Sequence, residues 1–379
     1  MTAPLATNRH DVAVVGGGIV GLACAWRAAQ RGMSVVVLER DRLGGGASQV
    51  AAGMLAPVTE ADFGEDALLE LNLAGAERWP SFAQELAAAS GLGCGFRESG
   101  ALVVAADGDD AAELERLTEL HHSLGLPSEW IGPRESRRLE PGLSPRVRGA
   151  IRAPSDHQAD PVATVAALAE ACRRAGVELC EEVEVAEVVR SGGRVTGTRT
   201  STSEISAGAV VIAAGAWSCA LAPDAPPIRP VKGQIATLRA PDPALAPGHV
   251  IRTPRCYLVA REDGRVVLGA TMEERGFELS TTADGVFRLL EAAREVLPDV
   301  GELEWAGVRA GLRPGTPDNL PAIGHGRLDG LVWATGHHRN GVLLAPLTGD
   351  LVAGLLDGGA APPAAVAPDR FAGATEATR

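Results

Sequence analysis

Residues 11–39 read DVAVVGGGIVGLACAWRAAQRGMSVVVLE, and the fold follows from how this stretch divides. After Asp11, VAVV is a short unbroken apolar run, the pattern of a strand buried on both faces of a parallel sheet. A glycine turn follows. Ile19, Leu22, Ala23, Trp26 and Ala29 then recur at helical spacing, and Gly32 stands where a left-handed C-terminal cap belongs. SVVVLE supplies a second buried strand that ends at Glu39, so the stretch is one βαβ unit. Gly16, Gly18 and Gly21 fall at the strand-to-helix turn in G-x-G-x-x-G spacing. Such glycines permit a tight turn, close backbone approach to a pyrophosphate, and close packing of helix on strand. The helix start at Ile19 and Val20 offers N–H donors to phosphate, and Glu39 is placed to accept from a ribose diol. The context predicts a dinucleotide-binding layer.

Outward from this unit the chain alternates. Residues 66–86 and 109–124 carry apolar positions at helical spacing, and Asp160 with Pro161 starts another helix as N-cap and first-turn residue, with its end expected at Gly176. Proline and glycine cluster over 133–154 and read as loop. Alternation through VELCEEVEVAEVVR, the turn SGGRVTG and the apolar run AVVIAAGAW predict strands. From Pro226 the segments VKGQIATLRA, CYLVARED and GRVVLGATM suggest an antiparallel sheet with one helix over 283–297. GLVWATGHHRNGVLLAPLTGDLVAGLL then returns to strand, glycine turn and helix. The fold class expected is α/β: a Rossmann-like FAD-binding domain (1–90, 141–222 and 305–366) interleaved with a mostly antiparallel β-sheet substrate domain (91–140 and 223–304). Residues 367–379 are expected as a loosely ordered tail of the Ala/Pro-rich end.

Composition narrows the partners. A net charge of −13 disfavours nucleic acid and anionic membrane, which are bound through surplus Lys and Arg. The N-terminal MTAPLATNRH has no apolar core of a signal peptide and no run is long enough to span a bilayer, so a cytoplasmic enzyme is expected. The cysteines contain no C-x-x-C pair, and the adjacent His337 and His338 lack an accompanying Asp or Cys ligand set, so no metal is expected. Lys232 is the sole lysine and Tyr257 the sole tyrosine, survivors of a composition in which arginine stands almost everywhere else.

A diffusing nicotinamide would want a separate catalytic centre, whereas further glycine-rich segments here are spaced to wrap a resident dinucleotide. Candidate FAD contacts are Gly16, Gly18, Ile19, Val20, Gly21, Glu39 and Arg40. To these are added Ala47, Ser48, Ala52, Gly53 and Met54 in the second glycine segment, and Gly215 in AAGAW. The last group is Gly336, His337, His338, Arg339, Asn340, Gly341, Val342 and Leu343, at a predicted helix start.

With VVGGGIVGL and Glu39, AAGML, PVKGQ, CYLVAR, GLRPGTPDN and GHHRNGVLLAP in hand, the chain resembles the D-amino-acid oxidase family of FAD-dependent oxidoreductases over nearly its whole length. Within that family it is similar to the glycine oxidases of thiamin biosynthesis. The resemblance implies that Arg313 clamps the substrate carboxylate, that Tyr257 shares it, and that Arg339 is a second active-site arginine. It implies that Met54 and Met272 line the cavity, that Val185 meets the adenine half and that Ser48 reaches the pyrophosphate. His338 stands where those oxidases carry an aromatic, which leaves the pocket entrance open to question. Arg309, four residues before Arg313, is an alternative carboxylate ligand. Relatives that bind flavin through a cysteine thioether place it in the last third of the chain, and no cysteine follows Cys256, which implies noncovalent FAD.

The activity implied is hydride transfer from the α-carbon of a small amino acid to flavin N5, giving an imine, then glyoxylate and ammonia, with O2 reduced to hydrogen peroxide. The implied partners are a small amino-acid substrate and O2, with room for a homo-oligomer and a functional link to the thiazole synthesis machinery. The alternatives are a sarcosine or D-amino-acid oxidase of the same fold, and a flavin dehydrogenase using a non-oxygen acceptor. Each residue also has a plainer reading. Arg313 would hold loop carbonyls, Tyr257, Met54 and Met272 would fill core, Arg339 would be a surface charge, and Lys232 would pin a loop.

Overall fold

The computed structural model describes residues 9–372. The strand His10–Val15 lies at the heart of the first sheet, parallel to Val35–Leu38 on one side and Glu204–Ile212 on the other. Val12 and Val14 point to one face and Ala13 and Val15 to the other, into separate apolar clusters, which is why the run is apolar without alternation. The sheet runs Ala322–His325, Leu331–Thr335, Glu204–Ile212, His10–Val15, Val35–Leu38, Glu178–Cys180. Along this path only the outermost pair, Ala322–His325 with Leu331–Thr335, is antiparallel.

Helices Ile19–Gln30, Asp66–Ser90, Pro161–Arg174 and Ala345–Leu356 cover one face, with Leu22, Trp26, Phe82, Leu86, Leu168 and Val352 interlocked. The other face is covered by the hairpin of Val185–Ser191 and Arg194–Thr200, which extends from Glu204–Ile212. The expected capping of Pro161–Arg174 is present: the Asp160 carboxylate accepts from the Val162 N–H at 2.9 Å, and Gly176 takes φ 81 just past the end.

The second sheet runs Glu304–Gly315, Arg229–Arg239, Arg265–Gly269, Tyr257–Ala260, Val250–Arg252, Ala101–Ala105, Gly149–Ala153, Glu129–Ile131. Its pairings are antiparallel except Val250–Arg252 with Ala101–Ala105. Leu102, Leu238, Leu258 and Leu268 pack one face onto the helix Ala283–Val296. Ile235, Val259 and Val267 turn the opposite face toward Ala52 of the nucleotide layer, and the cavity lies at this seam.

Three expectations change. The segment 133–154 is not all loop: it forms the helix Pro133–Leu139 and the strand Gly149–Ala153. Gly149–Ala153 and Glu304–Gly315 pair in the second sheet, although both fall largely within the segments expected for the nucleotide layer. Their partners are distant in sequence, and Pro/Gly content hides a short edge strand. The described part of the expected loose tail is attached. The Arg370 guanidinium donates to Asp318 Oδ2 and the Leu320 carbonyl, both at 2.8 Å, and Val366, directly ahead of that tail, is buried in the main core. Ala/Pro composition conceals two such anchors, and residues 373–379 lie outside the described residues. Among the described residues no helix is long and apolar enough to cross a membrane.

Candidate active site

A cavity of about 460 Å³ runs from the turn after the first strand, past the 47–54 segment, to the faces of Tyr257 and Arg313 in the second sheet. At its nucleotide end Gly16 takes φ 108, and a Cβ there would sit 2.5 Å from the Ala213 carbonyl oxygen. A Cβ on Gly21 would fall 1.9 Å from the Gly16 carbonyl oxygen, so the helix can approach the strand this closely only without side chains. The first N–H groups of Ile19–Gln30 lack intrahelical acceptors. Ser48 Oγ accepts from the Ile19 N–H at 3.1 Å, which puts its hydroxyl at the helix N-terminus. The Glu39 carboxylate accepts from the N–H groups of Gly17 at 2.7 Å and Asp41 at 3.0 Å, holding the turn with one edge at the cavity. Arg40 lies 3.7 Å over the Trp217 ring, and Val185 lines the cavity beside Val183. This glycine cradle with a helix terminus and an acid after the next strand fits a dinucleotide such as FAD.

At the other end the second sheet makes room for two polar groups by deleting two side chains. Register pairs Tyr257 with Gly269, and a Cβ on Gly269 would lie 2.4 Å from the Tyr257 hydroxyl oxygen. A Cβ on Gly233 would lie 2.4 Å from Arg313 Nη1, so the guanidinium rests flat on bare backbone. Arg313 Nη1 donates to the Thr271 carbonyl at 3.1 Å. Burial pushes the Tyr257 phenol up against the opposing pull of the Arg313 charge, so at neutral pH it is an O–H donor beside a cation. Together these present donors suited to a carboxylate. Met54, Met272 and His338 complete the walls, with Met272 63% exposed at the mouth.

Arg339 is the outer arginine. Its Nε lies 3.6 Å from Glu60 and its Nη2 3.3 Å from Glu65. Arg252 approaches the other oxygen of Glu60 at 3.9 Å and donates to the Thr59 carbonyl. This loop is set from beneath by the buried Asp156 carboxylate, which accepts from the N–H groups of Val58 at 3.0 Å and Thr59 at 2.8 Å and from the Thr59 hydroxyl at 2.7 Å. Sequence reading missed Glu60, Arg252, Gly233 and Gly269 as lining or shaping residues. None lies in a recognisable motif except Gly233 of PVKGQ, and the first two join the site only through the fold.

The histidine pair divides. His337 is buried, its Nε2 is 2.9 Å from Thr348 Oγ1, and burial drives its pKa down to about 3. Its Nε2 is thus tied to the helix Ala345–Leu356, while the residue still lines the cavity beside His338. His338 holds φ 45, an unfavourable conformation outside glycine, and neither ring nitrogen has a hydrogen-bond partner. Burial, with the charges of Arg313, Arg339 and Arg229, lowers its pKa to about 4, so a neutral imidazole borders the cavity.

A pH dependence follows from these shifts. Both histidines titrate lower in the folded protein than unfolded, so stability is lost as pH falls from 6.5 toward 4, at about 1.4 kcal/mol per proton per pH unit. Asp156 opposes one proton of this, because burial raises its folded pKa to about 6 and the native state then holds a proton the unfolded chain lacks. The net contribution of these three groups below pH 6 is therefore near one proton. His337→Gln preserves a partner for Thr348 and removes one titration, so melting temperatures of this variant, compared between pH 7.5 and 5, should fall less than those of the parent. An unchanged acid limb would show that His337 does not carry it.

Other calls are corrected by position. Gly336, Asn340 and Leu343 do not line the cavity. Gly336 packs against Thr316 and Ile228, Asn340 is 3% exposed within the turn, and the Leu343 carbonyl accepts from Trp79 Nε1 at 3.0 Å. In a tight turn neighbouring residues face opposite ways, so a motif cannot contribute every member. Gly21 acts through helix packing behind the lining. Arg309 is exposed on Gln49 at 3.2 Å and does not compete with Arg313. The other candidate contacts, Ala47, Ala52, Gly53, Gly215, Gly341 and Val342 among them, do line the cavity. Lys232 alternates with Gly233 and points to the opposite face of its strand, away from the cavity.

The model of the DAO family, described as FAD dependent oxidoreductase, matches residues 11–355. The chain is 37% identical to glycine oxidase of Geobacillus kaustophilus over 93% of its own length and 94% of that protein. It is 36% identical over 91% of its length to the bifunctional protein ThiO/ThiG of Synechocystis, of which it spans 51%. The crystal structure of glycine oxidase from Geobacillus kaustophilus superposes with a TM-score of 0.90 at 35% identity, covering 96% of this chain and 99% of that one. With a glycine cradle for the dinucleotide facing a donor-lined amine pocket, the chain belongs to the DAO family of FAD dependent oxidoreductases and is an FAD-dependent amine oxidase.

Proposed function

We propose that the chain oxidises glycine to an imine that hydrolyses to glyoxylate and ammonia, with O2 reduced to H2O2, and that sarcosine and D-alanine are poorer substrates, giving glyoxylate with methylamine and pyruvate with ammonia. The observation that carries this reading is the convergence of Arg313 and Tyr257 over the bare backbone of Gly233 and Gly269. A planar guanidinium beside a phenol O–H binds one carboxylate with fixed orientation. Met54, Met272 and His338 crowd the space beside it, which favours a short α-substituent.

Bound FAD supplies the two-electron acceptor for the amine's α-C–H. The protein's part is positioning: Arg313 and Tyr257 hold the carboxylate, and the neutral His338 adds no positive charge that would oppose the charge developing on the amine nitrogen as hydride leaves. FAD is held noncovalently in this reading. Cys256 borders the cavity, but its thiol is buried, bonded to Thr253 and pushed up to about 11, a poor nucleophile. We further place the imine in the thiazole assembly of thiamin biosynthesis, supported by the likeness to the bifunctional ThiO/ThiG relative.

Peroxide release from glycine, sarcosine, D-alanine and D-proline tests the assignment. Glycine should give the highest kcat/KM and D-proline the lowest. Strong preference for a bulky D-amino acid overturns the substrate, and negligible peroxide with rapid turnover on artificial acceptors overturns the oxidase.

A further inference from the structure

Lys232 is the only lysine of the chain and is 1% exposed, yet it lies outside the cavity. Its Nζ is 3.5 Å from Glu273 and 3.9 Å from Glu278. Its backbone N–H and carbonyl both pair with Glu273, each at 2.9 Å, in an isolated antiparallel bridge. Two residues on, the buried Gln234 continues the grip. Its amide donates to Glu273 Oε1 at 2.7 Å and to Thr282 Oγ1 at 3.1 Å, and accepts from the Thr282 N–H at 2.8 Å. Its backbone N–H donates to Thr271 Oγ1 at 2.8 Å. One face of the strand Arg229–Arg239 thus holds both ends of the segment 271–282.

That segment forms the outer wall of the site. The Thr271 carbonyl accepts from Arg313, Met272 lines the mouth, and Phe277 packs 5.6 Å from the Trp217 ring on which Arg40 lies. Beyond its held ends the segment is open to solvent, with Glu274, Arg275 and Gly276 exposed and Phe277 54% and Leu279 50% exposed. Little apolar burial keeps it closed, so local opening should be governed by its polar tethers. Replacing Lys232 by an uncharged residue would leave Glu273, at 22% exposure, facing the strand without its cation.

We infer that Lys232 is a positioning residue, whose buried ammonium clasps Glu273 and Glu278 and thereby holds the 271–282 segment closed over the amine pocket and the Arg313 guanidinium in register. Where the inference concerns substrate affinity it rests on the pocket being the one proposed above. Its structural half does not.

The test uses FAD-loaded protein. Trypsin cleavage after the exposed Arg275, followed by mass spectrometry, reports opening of the segment without any substrate. In Lys232→Met cleavage there should accelerate about tenfold, and in Lys232→Arg it should stay nearer the parent. Glu278→Gln, at a half-exposed carboxylate that folding does not depend on, should accelerate it by a smaller factor of about two to three. Lys232→Met should also raise the glycine KM several-fold more than it lowers kcat, with visible flavin absorbance retained. Parent-like cleavage in both Lys232→Met and Glu278→Gln overturns the inference. If Lys232→Met does not fold, Glu278→Gln decides alone. Faster cleavage in protein whose parent does not oxidise glycine sustains the clasp and rejects the substrate, so the two failures are distinguishable.

Discussion

Arg313→Ala should raise the glycine KM by about two to three orders of magnitude while the protein stays yellow, because truncating one side of a buried charge pair costs about 3–5 kcal/mol. The guanidinium is the only cation resting on Gly233 and Thr271 at the pocket floor, and its loss strands the substrate carboxylate against the single donor of Tyr257. Arg313→Lys keeps the charge but not the planar fork, so it should recover only part of the affinity. Steady-state kinetics with the peroxide readout, alongside flavin absorbance, check this. A variant with parental KM would take Arg313 out of the site. Arg313 lies at the far end of the cavity from the glycine cradle, which is why flavin content is the internal control.

The converse result is expected at the other end. Gly21→Ala should yield protein with little or no flavin, since its Cβ would stand 1.9 Å from the Gly16 carbonyl oxygen and must push the helix off the strand. That shift moves the helix N-terminus, where Ser48 Oγ meets the Ile19 N–H, away from the phosphates it serves. Gly32→Ala is the matched control. Gly32 also takes a positive φ, 81°, but nothing lies within 4 Å of its would-be Cβ. It should cost about 1 kcal/mol of stability and leave flavin bound. The ratio of protein to flavin absorbance after purification distinguishes the two. Equal flavin in both variants would show that helix-on-strand contact at Gly21 does not shape the cofactor site.

What could be read before any coordinates was what local chemistry dictates. The unbroken apolar run of 12–15, the spacing of Gly16, Gly18 and Gly21, the cap at Gly32 and the acid at Glu39 each constrain backbone within a few residues, so the βαβ unit and its cofactor were legible. Asp160 with Pro161 announced its helix for the same reason. The strand Gly149–Ala153 was not legible, because its place at a sheet depends on Ala101–Ala105, far behind it in the chain. Val366 and Arg370 likewise anchor an Ala/Pro-rich end through contacts that composition does not express.

The site divides along the same line. Arg313, Tyr257 and Arg339 stood out by motif and rarity, but which neighbours orient them is a matter of register. Gly233 and Gly269 are ordinary strand glycines until pairing brings them to Arg313 and Tyr257. Arg252 and Arg339 converge on Glu60 because Asp156 fixes the 58–60 turn from another segment. His337 and His338 are adjacent in sequence and both line the cavity, but only His337 is tied to Thr348, since a turn sends successive side chains apart. Sequence alone determined the cofactor layer, the chemical class and the charged residues available, because turns, caps and periodicity act over short range. Tertiary structure decided which of those residues converge on one carboxylate and what holds them there, because that depends on the register of strands that lie apart in the chain, as Arg229–Arg239 with Glu304–Gly315.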